Sequence, residues 1–213
     1  MIDDIKALYS ARAVNRAVLV DDAFDATPRP GDVDDALWDR FFDDLNEADE
    51  TEISAQYGSE RYEAMDASEL RRDQGFIDIV WGRKAVSGSA DLLFRDFERI
   101  IAQKRGQLAP LIELLQNSLG LSCHCYGRDG GENLPSADII FLDLYLGQVE
   151  DDVAVERAIS RIKEVVAQRR ATPPTVILLS QNPNLSDVGP RVRDNAELLG
   201  CQFRMKKGSS FRF

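Results

Sequence analysis

ADIIFLDLYLG, residues 137–147, is the stretch whose reading decides the fold. Ile139, Ile140, Phe141 and Leu142 follow one another without polar alternation. Such a run reads as a strand buried on both faces, as in a parallel sheet covered by helices. Asp143 ends it. An acid there stands at the carboxyl edge of the sheet, where open α/β folds place their ligands. Taken alone, Asp143 is equally well a solvated acid opening a loop, so the other strands must decide.

Three of them end in the same way. RAVLV (16–20) runs straight into Asp21 and Asp22, TVILLS (175–180) ends in Ser180, and CQFRMKK (201–207) ends in Lys206 and Lys207. LSCHCYG (121–127) reads as a further short strand. Between the later strands lie amphipathic helices, one over Val153–Arg170 stopped by Pro173 and Pro174, and one over Arg191–Leu199 capped by Gly200. Strand and helix alternate, which is the pattern of a parallel α/β sheet. Parallel strands bring their ends to one edge. Asp21, Asp22, Asp143, Ser180 and a lysine then converge in a shallow cleft.

The segment between the first two strands follows other rules. A short helix is expected before it, over 3–12, with Ile5, Leu8 and Tyr9 on one side. Residues 23–34 are loop-like, with two prolines and a glycine. From Asp35 to Glu47, Leu37, Trp38, Phe41, Phe42 and Leu45 recur at helical spacing, a stripe that reads as core. Residues 48–75 are acidic with few apolar anchors, and are expected to hold a helix around Ser59–Arg72 or to be mobile. FIDIVWG (76–82) is expected to be a strand or an ordered connection. Asp91–Arg105 and Leu108–Leu119 are helical, and Pro110 either opens the second helix or kinks a single long one.

Composition sets the class. With 213 residues and 44% apolar content the chain can bury a sizeable core. The formal net charge of −11 argues against wide non-specific contact with nucleic acid or anionic membrane, though not against a local basic patch. No run approaches the roughly 18 apolar residues that span a bilayer, and the N-terminus lacks the pattern of a signal peptide. Three cysteines do not suggest a disulfide scaffold. A cytoplasmic protein is expected.

Cys123, His124 and Cys125 invite a metal reading, but adjacent strand residues face opposite ways, so the three do not converge. Buried free thiols are the better expectation. Gly127–Gly131 is too irregular for a phosphate loop.

Clustered carboxylates disfavour one another unless a cation sits among them. Hard oxygen ligands on a rigid edge suit Mg²⁺, which keeps several waters. A hydroxyl and a lysine can take phosphoryl oxygens, and the central carboxylate can be the nucleophile. On VLVDD (18–22), DIIFLDLYLG (138–147), TVILLS (175–180) and GCQFRMKK (200–207), the chain resembles the receiver (response-regulator) domain of two-component signalling.

The resemblance implies a flavodoxin-like α/β fold with a five-stranded parallel sheet in the order 2-1-3-4-5. It implies that Asp143 accepts phosphate from a histidine kinase or phosphotransfer protein, and that Asp21 and Asp22 hold Mg²⁺ with the Tyr145 carbonyl. Ser180 would bind a phosphoryl oxygen. Lys207, counted from Gly200, or Lys206, counted from Phe203, would pair with the phosphate. The output would be a further domain or a homodimer. The receiver-like domain is expected over 1–22 and 105–213, with a mainly helical insertion, 23–104, packed on it.

The chain departs from the family pattern in three ways. Gly147 and Gly208 stand where receivers commonly carry proline. About 115 residues separate the first and third strands, where a few tens are usual. Only GSSFRF follows the last strand, in place of a final helix. The expectation is that an output region follows or that another helix covers that face. The alternative function is a receiver-like interaction module that is never phosphorylated and acts through its inserted helices. A phosphohydrolase with an aspartate nucleophile is weaker, because such enzymes want an acid two residues on and Tyr145 stands there.

Overall fold

The computed structural model describes residues 2–131, 134–146, 152–169, 171–180, 185–196 and 203–207, without the side chains at 152, 154, 180, 185–189 and 203–207. The chain divides into two compact units, Met1–Asp25 with Gln103–Phe213, and Ala26–Ala102. Among the described residues no helix is long and apolar enough to cross a membrane.

The first unit is α/β and is built on a parallel sheet. β1 (Arg16–Val20) lies between β2 (Ser122–Tyr126) and β3 (Ile139–Asp143), and β4 (Thr175–Ser180) lies beyond β3. Val18 faces His124 on one side and Ile140 on the other. The apolar runs are continuous because the inner strands are covered twice. Val18, Val20, Ile140, Leu142, Val176 and Leu178 bury with Val155, Ile159 and Ile162 of α8 (Asp152–Gln168) and with Val192 and Ala196. Ala17, Leu19, Ile139, Phe141 and Leu179 bury against Leu108, Leu111 and Leu115. α1 (Ile2–Ala11) contributes Tyr9 to that second layer, while Ile2, Ile5 and Leu8 stay exposed.

Several local expectations are corrected. Of the two alternatives for Pro110 the single long helix holds, with α7 running over Gly88–Glu113 and Pro110 inside it. It runs on into a π turn, Leu114–Ser118, where the Leu119 amide donates to the Leu114 carbonyl at 2.9 Å. α9 spans Leu185–Asn195, so it begins well ahead of the start expected at Arg191. Its Gly-Pro pair is tolerated, and Val192 and Ala196, four apart, supply the packing that overrides propensity. Phe203–Lys207 forms a strand, β5. Gly147, Gly200, Cys201 and Gly208 lie outside the described residues, as does the GSSFRF tail.

After β2 the chain passes Asp25 closely. A Cβ on Gly127 would stand 2.8 Å from the Asp25 nitrogen and Cα, so only glycine fits. The Arg128 amide donates to Asp25 Oδ1 at 2.6 Å and its guanidinium pairs with the same buried carboxylate. The Arg161 guanidinium donates to the Arg128 carbonyl at 3.0 Å and to that of Gly130. These contacts give the glycine-rich loop a structural role.

The second unit is helical. It holds α2 (Asp35–Asp44), α3 (Glu47–Tyr57), α4 (Ser59–Glu63), α5 (Ala67–Leu70), α6 (Gln74–Gly82) and the opening turns of α7. FIDIVWG is thus helix, neither strand nor connection. Asp73 caps it by accepting from the Phe76 amide, and Phe76, Ile77 and Val80 bury at helical spacing. Trp38, Phe41, Ile53, Phe76, Phe94 and Phe97 form its core. Many of its acids are structural. Asp34, Asp66 and Asp73 are N-caps, Asp66 in a capping box with Glu69. Asp49 is buried, accepts from Ser87 Oγ at 2.8 Å and pairs with Arg83 at 3.1 Å.

Candidate functional site

The order of the sheet places the site. From β1 the chain leaves for β2 on one side and returns to β3 on the other, so the carboxyl ends of β1 and β3 flank a topological switch point. Loops diverge there and leave a crevice. Asp21 and Asp22 follow β1 directly, and Asp143 is the last residue of β3. One carboxylate oxygen from each of the three lies within 4.8 Å of the others.

Local geometry fixes each acid. Asp21 caps a 3-10 turn, Asp22–Phe24, by accepting from the Ala23 amide at 2.9 Å, while its own amide donates to the Tyr126 carbonyl at 3.0 Å. Asp143 accepts from the Tyr145 amide at 3.2 Å. The Tyr145 side chain buries with Leu142 and Leu144. Asp21 and Asp22 are both buried.

A cation that sequence reading passed over completes the group. Lys104 of α7 donates to both oxygens of Asp22, at 2.6 and 2.9 Å. The neighbouring Arg105 donates to the Ala23 carbonyl at 2.6 Å. Lys104 stands four residues before Leu108, seven before Leu111 and eleven before Leu115, so it lies on the buried stripe of its helix. A lysine on an apolar stripe demands a partner, and that was the available signal.

The electrostatics follow from burial and mutual repulsion. Burial, with the charge of Asp22, pushes Asp21 up to about 6, against the Ala23 hydrogen bond and the Lys104 charge. Burial, then the Asp21 charge, holds Asp143 well above the usual carboxylate range. Burial alone would depress the Lys104 ammonium, but the hydrogen bond and charge of Asp22 raise it, with Asp143 and Asp21 adding to them. Among the described residues one ammonium faces three clustered acids and leaves them under-compensated. All the converging donors are carboxylate oxygens, which is the hard donor set that a divalent cation takes and a soft metal does not.

A pH dependence results. A carboxyl raised above its unfolded value near 3.8 binds its proton more tightly in the fold. Its contribution is therefore largest at low pH and is lost as pH rises from about 4 to about 6. Two pH units correspond to about 3 kcal/mol. In chelator, wild-type stability measured by urea should fall by about that much relative to Asp21→Asn across this window. Parallel curves for the two proteins would contradict the assignment.

The remaining expected site residues stand at strand ends. Ser180 closes β4 and Lys207 closes β5, with Lys206 before it; their side chains lie outside the described residues. Cys123 and Cys125 are free and half-buried. His124 stands beside Ser122, its Nε2 at 3.0 Å from Oγ, and stacks on Tyr126. Neither is part of the acidic group. Comparison with family models, with curated proteins and with solved structures finds no match to this chain.

Proposed function

We propose that the first unit is a phosphorylatable receiver-type switch in which Asp143 accepts a phosphoryl group while Asp21 and Asp22 hold Mg²⁺. The observation that carries this reading is the meeting of the three carboxylates within 4.8 Å at the switch point of a parallel sheet. The fold reading that goes with it is flavodoxin-like, with five strands in the order 2-1-3-4-5. The parallel register of Phe203–Lys207 along Val176–Ser180 supports it. In that register Lys207 stands beside Ser180 and Lys206 beside Leu179, which favours Lys207 as the lysine for the phosphoryl group.

Asp143 would attack the phosphorus of a phosphohistidine or an acyl phosphate. A bond forms from its carboxylate oxygen to phosphorus, and the bond from phosphorus to the donor's nitrogen or oxygen breaks. Burial opposes this, because it favours the protonated, non-nucleophilic Asp143. Mg²⁺ would supply the compensating charge and a ligand for a phosphoryl oxygen. Asp21 and Asp22 would hold it, with the Tyr145 carbonyl as a further ligand. Ser180 and Lys207 would take the remaining oxygens. The donor is a histidine kinase or phosphotransfer protein of the cytoplasm, and the output is a further domain or a homodimer.

One observation favours the alternative of an interaction module that is never phosphorylated: the protein supplies its own counter-charge to Asp22 through Lys104. Beryllofluoride with Mg²⁺ separates the two. A receiver binds them together on Asp143, with a rise in melting temperature that neither gives alone. No joint rise means the interaction module.

A further inference from the structure

We propose that Lys104 is a tethered gate cation: it competes with a divalent cation for Asp22 and must leave before such a cation can enter. This deepens the receiver reading above and rests on it. The geometry points to competition. The Lys104 ammonium lies 2.6 and 2.9 Å from the two oxygens of Asp22, so both are engaged. A divalent ion held at roughly 2.1 Å would need an oxygen that Lys104 now takes, and it would stand against a like charge at close range.

The gate can open. The Lys104 side chain is 31% exposed while that of Asp22 is 6% exposed, so the lysine has open space to swing into while the carboxylate stays in place. A lysine is a point charge on a flexible four-carbon stem with three donors and no fixed fork, so moving it breaks no bidentate lock. Once displaced, it stands beside the edge where a phosphoryl group on Asp143 would add negative charge. The released ammonium and that phosphoryl group then attract. Metal alone binds weakly, because it must evict Lys104. Metal with a phosphoryl group binds well, because the evicted ammonium gains a partner. The site so built responds to both ligands together.

Titration calorimetry of Mg²⁺ on the full chain, with and without beryllofluoride, tests this on wild type, Lys104→Met, Lys104→Gln and Lys104→Arg. Lys104→Met should bind Mg²⁺ alone about tenfold more tightly than wild type, the effect of removing one charged hydrogen bond from the metal's path. Beryllofluoride should tighten Mg²⁺ binding less in that variant than in wild type. Lys104→Arg should bind Mg²⁺ no more tightly than wild type, because the cation stays and its fork can lock both Asp22 oxygens. Lys104→Gln carries the same expectation as Lys104→Met should the apolar side chain disturb folding. Equal or weaker Mg²⁺ binding in the neutral variants overturns the gate and leaves the metal site standing. Absence of Mg²⁺ binding in all four proteins overturns both.

Discussion

Incubated with Mg²⁺ and a small acyl phosphate, the wild-type protein should gain the mass of one phosphoryl group, and Asp143→Asn should gain none. Asparagine keeps the shape of the side chain but has no anionic oxygen to attack phosphorus. The loss should be complete, and hydroxylamine should strip the label from wild type, because the product is a mixed anhydride. Failure of Asp143→Asn to fold is not the expected cause of that loss. Burial already favours the neutral form of Asp143, so a neutral isostere relieves repulsion with Asp21. In chelator the variant should be at least as stable as wild type. Asp21→Asn and Asp22→Asn should label slowly, since each leaves the nucleophile intact. Label that persists in Asp143→Asn, or a wild type that takes none, would sink the phosphoacceptor reading.

The parts of the fold legible in the sequence are those where burial is one-dimensional. RAVLV, IIFL and TVILLS are covered on both faces, so no polar residue interrupts them and periodicity is not needed to see them. The acids were legible for a related reason, because a strand buried on both faces can place a carboxylate only at its end. FIDIVWG shows the limit. Seven apolar-rich residues fit a strand or a helix equally, and the deciding feature, the Asp73 cap, lies three residues upstream. In α3 the only buried apolar side chains are Ile53 and Tyr57, and its remaining buried residue is the ion-paired Asp49. Its stability leans on caps and on the buried ion pair of Asp49 with Arg83 at the end of α6, which leave little hydrophobic stripe to read.

Lys104 was hidden by distance along the chain. It meets Asp22 across 82 residues, and no local pattern links the two. Its place on the stripe shared with Leu108, Leu111 and Leu115 is visible in the sequence once the helix is known to run unbroken through Pro110. A two-helix reading splits that stripe between Arg105 and Leu108, and the anomaly disappears. Lys104 stands out only on the single-helix alternative for Pro110, and that is the one the fold adopts.

Phe76→Ala should cost the second unit about 4 kcal/mol, the usual loss for truncating a buried phenylalanine. Phe76 is fully buried and is the hub of an aromatic cluster. Its ring lies 5.5 Å from Tyr57, 6.0 Å from Phe42, 6.1 Å from Trp38 and 6.2 Å from Tyr62. Four partners anchored on α2, α3 and α4 cannot all collapse into one vacated space, which keeps the cost off the lower end of the range. A unit of this size has about 5–15 kcal/mol in total, so the variant should be close to unfolding. The measurement is direct, because both tryptophans of the chain belong to this unit, Trp38 in its core and Trp81 packed against it. Urea unfolding followed by tryptophan emission should show a midpoint lower by about 2 M at a slope of about 2 kcal/mol per molar. Phe76→Leu, which refills most of the volume, should recover more than half of the loss. A shift under about 1 kcal/mol for Phe76→Ala would mean that the aromatic cluster does not hold these helices together.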